Sequence, residues 1–140
     1  MNAEKLVGSV GMASLTVRAG DTCVASNISD LPIISTSVLI NLMESACTAA
    51  LAEFLASGET SATTSIDFSA AGSVGVGSEI RAHATCIERG GTALIFAAEI
   101  NQESKLIASA TISRKLVDRV SFMARTAAEG ILAEKKLTPQ

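Results

Sequence analysis

Hydrophobic residues recur at helical spacing over one long segment of the chain, residues 36–57. The apolar positions are three or four residues apart, and apart from two glutamates the body of the segment is apolar or small around almost its whole circumference. Thr36 or Ser37 can cap the start of this helix and Gly58 its end. Because a helix that is apolar around most of its circumference is enclosed by other structure, the pattern predicts a central helix.

After residue 58 the pattern changes to alternation of apolar and polar residues, which is typical of half-buried β-strands. In the second such segment, Ile80, Ala82, Ala84 and Cys86 face one side and the residues between them face the other. Tight turns separate the segments, so consecutive strands are expected to pair as antiparallel hairpins. The predicted strands span residues 64–68, 79–87, 94–100 and 105–115.

The two ends of the chain carry weaker signals. Residues 12–26 are predicted as a strand, a turn at 19–21 and a second short extended piece, and residues 27–35 as a loop. From Val117 onward the sequence favours a polar helix with a frayed end.

One enclosed helix followed by antiparallel strands predicts an α+β domain. A single sheet must bury its apolar face, and the only segment long enough to cover it is the helix at 36–57. The expected architecture is therefore a hot-dog fold, an antiparallel sheet wrapped around one long central helix, as a single domain over 1–140 with its core at about 10–125. Such a sheet has open edges, so we expect a homodimer or a tetramer.

Composition excludes several classes of protein. The chain has 140 residues, of which 48% are hydrophobic and 18% charged, so it is not a disordered chain. A formal net charge of −3 and an aromatic content of 3% provide neither the basic surface nor the stacking platforms of a nucleic-acid-binding protein. The longest apolar stretch is interrupted by Glu44 and Glu53, so no membrane span is predicted.

Three cysteines, Cys23, Cys47 and Cys86, are widely spaced, and the chain has a single histidine. This spacing does not match a metal site, so neither a metal nor a cofactor is expected. Free thiols fit a reducing compartment, and the first residues lack the long apolar run of a signal peptide, so the predicted location is the cytoplasm.

Two residues of the central helix are candidates for chemistry. Glu44 lies mid-helix among apolar neighbours, where a carboxylate either serves a purpose or reaches the helix rim. Thr36 lies near the helix start, where backbone N–H groups can hold an oxyanion, although a helix cap is the simpler interpretation. Cys47, three residues after Glu44, has no neighbouring base and is interpreted as a small buried residue.

Residues 36–47, from Thr36 through Leu-Met-Glu44 to Ala-Cys47, resemble the central helix of the fluoroacetyl-CoA thioesterase-like branch of hot-dog thioesterases. The likeness continues without gaps through residues 64–71, the glycine turn at Val74-Gly75 and the last strand, which ends in Arg114. This resemblance implies hydrolysis of an acyl-CoA thioester by a Thr–Glu–His group at a dimer interface.

Thr36 and Glu44 match that pattern, but Ala70 stands where the family has its histidine, with Ser69 before it. The only histidine, His83, falls on the polar face of the next strand and is interpreted as a surface or interface residue. Hydrolysis remains feasible if Glu44 acts as general base or as nucleophile, as in other hot-dog thioesterases that rely on one helix carboxylate.

The remaining substrate-binding candidates are Asn41, one turn before Glu44, then Ser69 and Ala70, Gly75 and Arg114. Arg114 is interpreted either as a contact of the CoA phosphates or as a solvated charge at a strand end. The main alternative function is a non-catalytic acyl-CoA-binding protein that has lost the family histidine. A hot-dog hydratase would need an Asp–His pair that the chain lacks, and a purely structural dimer leaves the helix glutamate unexplained.

Overall fold

The computed structural model describes residues 5–137. It contains five strands and two long helices, with a short 3₁₀ turn at Ala19–Asp21. The expectation for the first residues of the chain falls partly on residues 1–4, outside the described part. The elements are β1 (Val10–Thr16), α1 (Thr36–Leu51), β2 (Glu59–Ala70), β3 (Glu79–Gly90), β4 (Ala93–Gln102), β5 (Lys105–Asp118) and α2 (Arg119–Leu137).

The five strands form one antiparallel sheet in the order β1-β3-β4-β5-β2, and α1 lies across one face of it, called the inner face here. This is the predicted α+β architecture. The predicted alternation is confirmed, because Ile80 and Cys86 on β3 and Leu94 and Phe96 on β4 are all buried. The inner face of these strands packs against Met43, Ala46, Cys47 and their neighbours on α1 to form the apolar core.

Strand β1 approaches the helix backbone closely at Gly11. A Cβ atom on Gly11 would overlap the carbonyl oxygen of Ala46 and the amide nitrogen of Ala50. Glycine within a strand often marks such an approach, because no other residue leaves room for a second backbone. Gly11 therefore sets how near β1 can lie to α1.

The boundaries of α1 differ from the prediction at both ends. Ser35 is the N-cap, since its hydroxyl accepts a hydrogen bond from the backbone N–H of Val38 at 3.4 Å, so the expected cap at Thr36 or Ser37 is wrong. The helix ends at Leu51 and not at 57. Gly58, with φ +86°, belongs to the turn that leads into β2 and does not cap the helix.

The segment before α1 also differs from the prediction. Thr22 forms one isolated bridge with Ile34, but residues 23–27 form a turn where a second extended piece was expected. The reason is local: the backbone N–H of Ile28 donates to the carbonyl of Cys23 at 3.0 Å, which closes the chain on itself.

Strand β5 extends to Asp118, beyond the predicted end at 115, and α2 begins at Arg119. The carboxylate of Asp118 accepts a hydrogen bond from the backbone N–H of Ser121 at 2.9 Å, which satisfies a free donor at the helix start and holds the pKa of Asp118 below its ordinary value. The side chains of α2 described by the structure are exposed. Within residues 5–137, no helix is long and apolar enough to cross a membrane.

Candidate functional site

A bulge in β2 sets which of its side chains face the helix. Thr63 is opposite Arg114 and Ser65 is opposite Ser113, so Thr64 is an extra residue between two ladder positions. Because directly opposite residues in an antiparallel pair point to the same side, Thr63 and Arg114 share the inner face. After the bulge, Ile66 resumes the inward position opposite a buried isoleucine of β5.

Arg114 is buried, at 8% exposed, and its guanidinium connects three elements. Its Nη1 donates to the hydroxyl oxygens of Ser61 on β2 at 3.0 Å and Thr48 on α1 at 3.3 Å. Its Nη2 donates to the backbone carbonyl of Glu44 at 3.0 Å and to the carboxylate oxygen Oε1 of Glu44 at 3.4 Å. Arg114 is therefore not a solvated strand-end charge, whereas its contact with CoA phosphates stays a prediction.

Glu44 has a side chain that is 28% exposed, beside the buried guanidinium of Arg114. Its Oε1 also accepts a hydrogen bond from the hydroxyl of Thr63. A permanently charged guanidinium offsets the cost of placing a carboxylate on a largely apolar helix, while partial exposure keeps water within reach. The two sequence-based interpretations of Glu44 thus combine: it lies at the helix rim and it has a dedicated partner.

Thr36 is the first residue of α1, and its side chain is exposed. Because Ser35 makes the cap, the hydroxyl of Thr36 is not used for capping. Eight residues separate Thr36 from Glu44, which corresponds to about 12 Å along a helix axis. Within one chain the two side chains therefore lie too far apart to touch the same atom.

The other substrate-binding candidates are dispersed. Asn41 is exposed on α1, and Ser69 lies on the outer face of the sheet, away from the helix. Ala70 lies exposed on the inner face opposite Ala108, about 20 Å along the strand from Thr63 at the usual rise per residue. Gly75 bridges Ile33 just before the start of α1.

His83 is half-buried on the outer face of β3, where the alternation predicts it. It lines a depression of about 410 Å³ together with Arg81, Asn101 and other polar residues. This depression lies on the opposite face of the sheet from Glu44. His83 therefore cannot replace the family histidine within its own chain.

Cys47 is fully buried, and burial raises the pKa of its thiol to about 11. Burial also raises the pKa of Cys86. A thiol that stays protonated at neutral pH is a poor nucleophile, which supports the interpretation of Cys47 as a packing residue. No group of three or more metal-ligating side chains occurs within residues 5–137.

Three hydroxyl residues around Glu44 and Arg114 are absent from the sequence-based site: Thr48, Ser61 and Thr63. Thr48 is four residues after Glu44, so helical spacing already places it beside that residue. Ser61 and Thr63 precede the bulge, and uniform alternation extended back from Ile66 would turn them to the outer face. Only the bulge brings them inward, and a run of Thr, Ser and Ala residues gives no hydrophobic signal of it.

Solved structures with a similar fold include thioesterases and a hot-dog-like protein. A variant of the fluoroacetyl-CoA thioesterase FlK in complex with fluoroacetate matches with a TM-score of 0.80 at 22% identity, over 88% of this chain and 97% of that one. A thioesterase superfamily member from Thermus thermophilus matches at 0.84 and 17% identity, over 92% and 96% of the two chains. A hot-dog-like protein from Thermanaerovibrio acidaminovorans matches at 0.81 and 16% identity, over 100% of each chain. At these identities the likeness establishes the fold.

The sequence itself carries the family assignment. No curated protein sequence matches the chain. The model of the family described as "FlK: Fluoroacetyl-CoA-specific thioesterase" matches residues 17–120, which include α1, all of β2 to β5 and the whole Glu44–Arg114 cluster. With its sheet wrapped around α1, the chain belongs to this thioesterase family and has the hot-dog fold.

Proposed function

We propose that this protein hydrolyses an acyl-CoA thioester and that Glu44 carries the reaction. The observation that supports it most is the state of the Glu44 carboxylate, which is held by Arg114 on a rigid helix yet remains 28% exposed. Membership of a thioesterase family adds the reaction class. A FlK variant has been crystallised in complex with fluoroacetate and CoA, and we extend CoA-ester binding from that protein to this one.

As general base, Glu44 takes a proton from a water molecule while the water oxygen attacks the thioester carbonyl carbon. The tetrahedral intermediate then collapses, the C–S bond breaks, and the CoA sulfur leaves with the bonding electrons. A thiol has a pKa of about 8.5, so it departs as thiolate without the histidine acid that an alkoxide leaving group would need. As nucleophile, Glu44 instead forms a mixed anhydride that water hydrolyses, giving the same acid and free CoA.

Thr36 is assigned the orientation of the attacking water or of the carboxylate, and a backbone N–H near the helix start polarises the carbonyl. Asn41, Ser69, Ala70, Gly75 and Arg114 are kept as the substrate-binding set. We do not extend the acyl-group preference of FlK to this protein.

A homodimer completes the proposed site. Within one chain, Thr36 and Ala70 lie about 12 Å and 20 Å from the region of Glu44, at the usual rise of a helix and a strand. β2 is an edge strand, and its inward residues Ile66 and Phe68 are only partly buried. Pairing of two copies covers these residues and lets one chain supply Glu44 and the other supply Thr36 and the Ala70 position. Three free thiols keep the cytoplasm as the proposed compartment.

The test is CoA release from acetyl-, butyryl-, octanoyl- and phenylacetyl-CoA by the native protein and by Glu44→Gln. The amide keeps the size of the side chain but cannot accept a proton, so we expect a loss in kcat of about 10²- to 10⁴-fold on the best substrate. Glu53→Gln is the control, because Glu53 is an exposed carboxylate just beyond α1 and should retain native turnover. Native turnover by Glu44→Gln would contradict the proposed role of Glu44.

A second candidate is a non-catalytic acyl-CoA-binding protein, which is favoured by the exposed alanine at position 70. This candidate predicts no CoA release from any ester, with a melting temperature that CoA esters still raise. Ala70→His separates the two further. A binder that lost its histidine should gain turnover with this substitution, whereas a single-carboxylate enzyme already works without it.

A further inference from the structure

We infer that Thr63 is a positioning residue that makes the two oxygens of Glu44 unequal, so that Oε2 alone performs the chemistry. The inference rests on the proposed function and deepens it. Thr63 lies on β2, outside the Thr–Glu pair of the family pattern and outside the substrate-binding set. Its hydroxyl donates to Oε1 of Glu44.

Both side-chain contacts of the carboxylate fall on the same oxygen. Oε1 accepts from the hydroxyl of Thr63 and from Nη2 of Arg114 at 3.4 Å. Oε2 accepts no hydrogen bond from any residue between 5 and 137. A carboxylate anchored through one oxygen has a fixed plane, and its other oxygen has lone pairs directed at whatever enters from solvent.

The two anchors differ in what they fix. Arg114 also holds the backbone carbonyl of Glu44, so its guanidinium ties the helix to β5 irrespective of the carboxylate rotamer. Thr63 contacts Glu44 through the side chain alone. Without the Thr63 hydroxyl, the carboxylate would keep one side-chain contact, the one to Nη2 of Arg114 at 3.4 Å. Its orientation therefore depends mainly on Thr63, and a general base or nucleophile must be held near its productive orientation to act.

The neighbouring residue provides a matched control. Thr64 is the extra residue of the bulge, and its hydroxyl donates to the backbone carbonyl of Ser113 at 3.2 Å. Thr63→Val and Thr64→Val thus each remove one hydroxyl from adjacent exposed positions of the same strand. Only Thr63→Val removes a contact of Glu44.

The experiment measures kcat and KM of the purified native protein and of the variants Thr63→Val, Thr63→Ser and Thr64→Val. The substrate is whichever of the four CoA esters the native protein hydrolyses best. We expect Thr63→Val to lose about 10- to 100-fold in kcat with KM within about twofold, because orientation of the base matters in the transition state and not in binding. Thr63→Ser retains the hydroxyl and should keep most of the activity. Native kcat in Thr63→Val, an equal loss in Thr64→Val, or a loss confined to KM would overturn the inference.

Crystal structures of the native protein and Thr63→Val give a readout that does not require turnover. We expect the side chain of Glu44 to occupy more than one rotamer in the variant, while the Arg114 contact to the backbone carbonyl of Glu44 stays in place. An unchanged single rotamer would overturn the role of Thr63 even if the protein proves to be a binder. Loss of activity in Glu44→Gln with native activity in Thr63→Val would overturn this inference and leave the proposed function standing.

Discussion

The inner face of the sheet has two halves that differ in chemistry. Under α1, strands β1, β3 and β4 present apolar residues such as Ile80, Leu94 and Phe96, each no more than 1% exposed. Toward β5 and β2, the same face presents Arg114, with Ser61 and Thr63 beside Glu44. We call these the closed half and the open half.

The difference shows where this fold can place a charge. In the closed half a carboxylate would lose its hydration without any partner, which costs several kcal/mol. In the open half a guanidinium, hydroxyl groups and partial exposure together offset that cost. Stability should therefore respond most to changes in the closed half, and turnover to changes in the open half.

The largest expected effect on stability is in the closed half, at Gly11. Gly11→Ala places a methyl group on the backbone of α1 at Ala46 and Ala50, and backbone cannot yield by changing a rotamer. We expect a loss of at least about 3 kcal/mol in the free energy of unfolding, measured by urea denaturation. Gly20→Ala is the control, since a Cβ there meets no atom within 4 Å and the change should stay within about 0.5 kcal/mol. Equal stabilities would mean that β1 does not lie as close to α1 as described.

The next effect is in the open half, at Arg114. Arg114→Met removes the charge partner of Glu44 and four donated hydrogen bonds, and we expect a loss of about 3 kcal/mol, at the low end for a buried pair because Glu44 is partly exposed. Adding Glu44→Gln to this variant should restore part of the loss, since no unpaired carboxylate remains. Arg125→Met on the exposed face of α2 is the control, with an expected change within about 0.5 kcal/mol. Additive losses in the double variant would contradict the coupling of Glu44 and Arg114.

The smallest effect lies between the two halves, at Cys47. Burial raises the pKa of this thiol from 9.0 to about 11, so the thiol ionises in the unfolded chain at lower pH than in the folded one. The contribution of this thiol to the free energy of unfolding is therefore fully present below pH 9 and is lost as the pH rises toward 11. The loss amounts to about 2 kcal/mol at the top of this interval. The measurement is the free energy of unfolding against pH for the native protein and Cys47→Ala. An unchanged slope in Cys47→Ala would contradict the assignment.

Hydrophobic patterning predicted the parts of the molecule that are held by apolar burial. The alternation in β3 and β4 gave the correct buried face, and the run of small and apolar residues in α1 gave the correct element type. Both follow from the burial of apolar side chains away from water, which does not depend on the details of the backbone. The family resemblance, which was most specific at residues 36–47 and continued through the later strands, identified the fold and the thioesterase family whose model matches residues 17–120.

Features that depend on backbone geometry were not predictable in this way. The end of α1 at Leu51 was missed because apolar residues continue at helical spacing through Phe54, which packs on the core from a turn. The close approach at Gly11 needs two backbones to be placed first. Thr63 was missed because one extra residue reverses the alternation of β2. At the candidate site, Glu44 and Arg114 are brought together by pairing that the sequence alone does not specify.

The bulge at Thr64 also bears on where this protein can accept substitutions. It divides β2 into residues 59–63, of which Ser61 contacts Arg114 and Thr63 contacts Glu44, and residues 66–70, which carry the packing side chains Ile66 and Phe68. Substitutions in the first stretch can alter the surroundings of the carboxylate without disturbing the apolar register of the second. A library randomised at positions 60, 61 and 63 should therefore contain a larger share of folded, functionally altered members than one randomised at positions 66, 68 and 70.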